Sequence, residues 1–101
     1  MRTLTEDVDR DEQALVMRDE GQPFAGIAEI LEFDNARAAN AAFNRALRGR
    51  PNAQKEWLRS RELARLDSLA SRVRERDDLS VEEIVRRLRV LKHQRKMLFL
   101  A

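Results

Sequence analysis

The chain has 101 residues, 43% of them hydrophobic and 38% charged, a length that fits one small domain if the apolar residues are patterned. Three glycines, two prolines and 5% aromatic residues argue against a sandwich or barrel of turn-linked strands and favour an all-α chain. The lack of cysteine and the single histidine, His93, exclude disulfide frameworks, thiolate zinc sites, cysteine nucleophiles and centres built on two imidazoles, so no enzyme activity, metal or cofactor is expected.

Thr5 can cap a first helix over about residues 6–20, whose acidic first turn suits the positive helix N-terminus. Ala14, Leu15 and Met17 give it a modest apolar side before Gly21 ends it. Gln22-Pro23 opens a short second helix to Leu31, with Phe24, Ile27, Ala28, Ile30 and Leu31 as its buried face. Asp34 or Asn35 caps a third helix to about Leu47, closed by Gly49-Arg50-Pro51. Beyond Pro51 a fourth helix, about 53–76, carries a stripe of Leu58, Leu63, Leu66, Leu69, Ala70 and Val73. Ser80-Val81-Glu82-Glu83 reads as a capping box for a fifth helix to about Phe99, with Val81, Ile84, Val85, Leu88, Leu91 and Leu98 on its apolar side. The expected organisation is a three-helix helix-turn-helix unit over residues 1–50 and an antiparallel helical hairpin over 51–101. Two helices make a thin core, so Leu58, Leu63, Leu66, Leu69, Val73, Ile84, Leu88 and Leu91 are candidate oligomerisation residues.

The net charge of +2 conceals a gradient: residues 1–20 carry three basic and seven acidic groups, residues 82–101 six and two. Such asymmetry suits an oppositely charged partner for one end, or head-to-tail contact between copies. No apolar run approaches the roughly 20 residues that span a bilayer, and the acidic start is unlike a signal peptide. A soluble, cytoplasmic protein without a membrane partner is expected.

Residues 24–43 fit a helix-turn-helix in which Ala28 lets two helices approach and Leu31 closes the first of them. The position after Leu31 is the tight turn, where glycine is usual. This chain has Glu32, so either Glu32 takes the strained conformation or the turn is longer. On a helical wheel Asn35, Ala38, Ala39, Ala42, Phe43 and Ala46 share one arc, and Arg37, Asn40, Ala41, Asn44 and Arg48 the opposite one. Arginine grips guanine and asparagine pairs with adenine in the major groove, so Arg37, Asn40, Asn44 and Arg48 are candidate base-reading residues. Arg45, Arg50 and Lys55 flank them as candidate phosphate contacts.

The stretch GQPFAGIAEILEFDNARAANAAFNRALRG, followed by RELARLDSLASRV and then VEEIVRRLRVLKHQRKMLFLA, resembles the phage terminase small subunits, over about residues 15–101. The resemblance implies an N-terminal helix-turn-helix on double-stranded DNA, a helical hub forming a homo-oligomeric ring, and delivery of viral DNA to the large terminase subunit, which holds the ATPase and nuclease. A dimeric transcriptional or excision regulator using the same Arg37, Asn40 and Asn44 face is the alternative. A protein-binding coiled coil without nucleic acid is a third class.

The remaining candidates are weaker. Asp7–Asp11 has acidic spacing like half a calcium loop, but Glu12 and Arg18 stand where that loop needs glycine and glutamate. Trp57 lies off the fourth helix's stripe and suits contact with the first helix or a neighbouring subunit. The basic residues Arg86, Arg87, Arg89, Lys92, Arg95 and Lys96 surround the last helix, which argues against a membrane-surface helix. They leave open solvated intersubunit pairing, DNA backbone contact or docking to a large subunit.

Overall fold

Arginine at positions 10 and 18 stands out on an otherwise acidic segment, and both side chains turn inward. In the computed structural model, which describes residues 4–101 and the side chains from Glu6 onward, the chain forms five helices, with no strand among the described residues. They are α1 (Leu4–Asp19), α2 (Phe24–Leu31), α3 (Ala36–Arg48), α4 (Asn52–Arg74) and α5 (Val81–Phe99). The chain divides into two units, the first reaching Leu58 and the second spanning Arg59–Leu100. The division falls inside α4, later than Pro51. Leu58 is buried, and it lines a groove with Trp57 and with Leu15 and Val16 of α1, so the opening turns of α4 belong with the first three helices. Trp57 itself is mostly exposed in that groove.

In the first unit, Ala14, Leu15, Phe24, Ile27, Ala28, Ala39, Ala42, Phe43 and Leu47 are buried. Alanine at 14, 28, 39 and 42 permits close helix approach, and Phe24 meets Phe43 edge to face at 5.8 Å between ring centroids. Gly21, at φ +100°, ends α1: its N–H bonds Arg18 O and the Gln22 N–H bonds Met17 O. Thr5 lies inside α1 and is not its cap. Pro23 is the N-cap residue of α2, one position outside the helix. Ile30, expected in the core, is 62% exposed: Phe24, Ile27, Ala28 and Leu31 set the inward face, and Ile30 stands about 100° off it.

The two inward arginines hold α2 at both ends. The Arg18 guanidinium lies 4.0 Å over the Phe24 ring and donates to Gln22 O at 3.2 Å. The Arg10 guanidinium lies 4.2 Å over the Phe33 ring and donates to the carbonyls of Leu31 and Glu32 at 3.5 and 3.3 Å. Those carbonyls are the free acceptors at the α2 C-terminus, where a cation is favoured.

In the second unit Arg95 donates to Asp67 at 2.6 Å and Arg59 to Leu98 O at 3.5 Å, so two positions along α4 meet the last turns of α5. Ser80 caps α5 by accepting from the Glu83 N–H at 3.1 Å. The Glu83 carboxylate does not complete the capping box. It pairs with Arg86 and Arg87, because charge-assisted bonds outcompete a neutral amide. In the connecting turn Arg76 donates to both Asp78 oxygens and draws the Asp78 carboxyl down from 3.8 to about 2.

Two outcomes follow. Arg18→Met should cost roughly 2 kcal/mol in urea denaturation, since the desolvated cation–π contact and a carbonyl bond are lost together, and Arg18→Lys should recover less than half of it. The folded value of Asp78 is the lower one, so its pair is fully formed above about pH 4 and is lost as pH falls toward about 2. In Arg76→Gln, an NMR carboxyl titration should return Asp78 close to 3.8.

Candidate nucleic-acid interface

The turn from α2 to α3 uses both devices weighed from sequence. Glu32 is left-handed, at φ 61° and ψ 41°, and the connection still runs through Phe33, Asp34 and Asn35. The Glu32 and Phe33 N–H groups both bond Ala28 O, and Asn35 Oδ1 accepts from the Ala38 N–H at 2.9 Å. These bonds fix where α3 starts.

Which face of α3 points outward differs from the wheel reading. Asn40 and Asn44 are buried, at 8% and 3% exposure, so neither is available to a base edge. Leu47 is fully buried, and it stands about 20° from Asn40 and 60° from Asn44 at about 100° per residue. Burying that side chain with Phe43 rotates the helix and draws both asparagines inward. The exposed row is Arg37, Ala41, Arg45 and Arg48, on a helix without an acidic residue. Among the described residues Arg37 and Arg48 carry no ion pair.

The other two candidate arginines are held by α1. Asp11 accepts from Arg45 Nε and Nη2 at 2.8 and 2.9 Å. Its hydrogen bond, outweighing partial burial, raises the Arg45 pKa further above its ordinary value. Arg50 pairs with Glu12 at 2.5 Å and donates to Gln54. Each pairing fixes the guanidinium plane yet leaves N–H donors unused, Nη1 in the case of Arg45. Lys55 is half-buried.

Charge is unevenly divided between the two units. The first, to residue 58, has eight basic and eleven acidic residues; the second, 59–100, has twelve and seven. On α5, Arg86, Arg87 and Arg95 are paired, whereas Arg89, Lys92 and Lys96 are exposed without an ion pair among the described residues. The candidate oligomerisation residues divide by burial. Leu58 and Leu66 are buried; Leu63, Leu69, Val73, Ile84, Leu88 and Leu91 remain half-exposed.

Among the described residues no group of His, Asp or Glu side chains is arranged to hold a metal ion, and no helix is long and apolar enough to cross a membrane. No protein-family description, curated protein or solved structure matches the chain.

Sequence reasoning missed Arg10 and Arg18. Their signal is present, two arginines eight apart within a run of acids and each matched to a phenylalanine flanking α2, but only the fold pairs them. Glu32→Gly should raise stability by about 0.5–1 kcal/mol, since a left-handed residue with a side chain costs more than the tenths that an exposed carboxylate contact contributes. Calorimetry reads this as a higher melting temperature; a lower one would show that the Glu32 side chain holds the turn.

Proposed function

We propose that the chain is a non-enzymatic DNA-binding protein of the phage terminase small-subunit kind. In this reading the first three helices form the helix-turn-helix unit, α3 enters the major groove, and α4 with α5 forms an antiparallel hairpin through which copies associate into a ring. The assembled protein would present viral DNA to the large terminase subunit. The observation that carries the proposal is the outer row of α3, in which Arg37, Arg45 and Arg48 surround one small residue, Ala41, on an acid-free helix.

Further features support it. The turn at Glu32 and the Asn35 cap set the start of α3 directly after α2, as a helix-turn-helix would need, and Ala28 is buried. Base reading passes from the asparagines to Arg37 and Arg48, with Arg45 oriented by Asp11 and Arg50 by Glu12 for phosphates. The half-exposed stripe of α4 and α5 supports self-association, since apolar surface of that kind seeks a partner.

Arg37→Ala with Arg48→Ala should weaken duplex binding at least tenfold and relax the sequence preference at the bases they read, in fluorescence titrations against matched and altered duplexes. Asn40→Ala should lower thermal stability and leave the affinity of the folded protein within about twofold. Loss of binding in folded Asn40→Ala, with Arg37 and Arg48 dispensable, would overturn the assignment of the row. Light scattering that gives a stable dimer would favour a regulator over a packaging protein.

A further inference from the structure

Within the second unit a groove of about 430 Å³ opens between α4 and α5. Its floor is apolar, formed by Leu66, Leu88, Leu91 and the exposed Val85. Its rim is cationic: Arg74, Arg89 and Lys92 are exposed and carry no ion pair among the described residues, while the one acid, Asp67, is already engaged by Arg95. A DNA backbone would satisfy the rim and leave the floor wet. Two such grooves facing one another would bury the floor and oppose like charges. The matching occupant is a helix whose ridge combines apolar side chains with carboxylates.

The chain carries one. The outer side of α1 carries an i,i+4 ridge of Val8, Glu12, Val16 and Glu20, in which the valines are 53% and 46% exposed and Glu12 is held by Arg50. Glu20 ends that ridge and Asp9 lies beside Val16 on the same outward side, both exposed and without an ion pair among the described residues. We infer that the α4–α5 groove receives the outer face of α1 from a second copy, a head-to-tail contact. Such a contact uses different surfaces on the two partners, so each copy offers both a groove and a ridge, and a series of such contacts can close as a ring. It deepens the self-association named above and rests on it, naming the surfaces involved.

Charge exchange tests it in the full chain by sedimentation velocity at low salt, with circular dichroism confirming helix content. Arg89→Glu with Lys92→Glu reverses the groove, and Asp9→Lys with Glu20→Lys reverses the ridge. Each variant alone should associate at least tenfold more weakly, because its groove and ridge then share one sign. Mixing the two should restore assembly, since each groove again finds an opposite ridge. Failure of the mixture to reassemble, or an oligomer indifferent to both reversals, overturns this contact and leaves self-association standing. A wild-type chain monomeric at all concentrations overturns both. Loss of DNA binding in the groove variant with its oligomeric state unchanged would assign the groove to nucleic acid and overturn the inference.

Discussion

Taking a guanidinium out of water is expensive unless its charge and its donors are met, and α1 of this protein buries Arg18 and half-buries Arg10, whose Nε finds no acceptor among the described residues. Arg10 and Arg18 are eight residues apart, about 12 Å along a helix, and α2 is eight residues long. That match lets one side chain cover each end of α2, Arg18 over Phe24 beside the start and Arg10 over Phe33 at the finish. The Arg10 bonds to the Leu31 and Glu32 carbonyls hold the segment in which Glu32 is left-handed. Placement of α3 therefore depends on two cations of a helix whose composition is mostly acidic, and the acids serve a second purpose by fixing Arg45 and Arg50 from the same side.

Three helix ends, at Gly21, Asn35 and Ser80, were legible in the sequence because their signals are local, whereas Thr5 did not mark the start of α1. Asn35 and Ser80 cap where hydroxyl or amide oxygens reach the third residue on, and Gly21 takes a positive φ that other residues resist. The orientation of α3 was not legible. Arginine and apolar residues are well separated around it, but Asn40 and Asn44 read as polar and yet belong to the buried side, which only the fold reveals. Phe43 and Leu47 decide the rotation, and Leu47, at the end of the apolar pattern, carries no weight until the fold surrounds it. The consequence is large for function, since turning the helix exchanges two asparagines for Arg45. Ile30 and the boundary at Leu58 were missed for related reasons: both depend on which neighbour is present.

The distribution of charge shapes the functional account. The unit that holds α3 is net acidic, so on the proposed function its approach to DNA would rely on a local row of arginines and not on a general field. Affinity per copy should then be modest, and several copies gripping one duplex would supply the rest through avidity. Self-association and DNA binding are linked in this account: the acidic side of α1 that limits one copy's attraction for phosphate is the surface that suits the cationic groove of another.

The central claim, that α3 meets DNA through Arg37, Ala41, Arg45 and Arg48, is tested most directly by NMR titration of the protein with a short duplex. The account predicts that backbone amides and arginine Nε–H signals along that row shift first and furthest. Perturbations confined to Arg89, Lys92 and Lys96 on α5, with the α3 row unmoved at saturation, would contradict it.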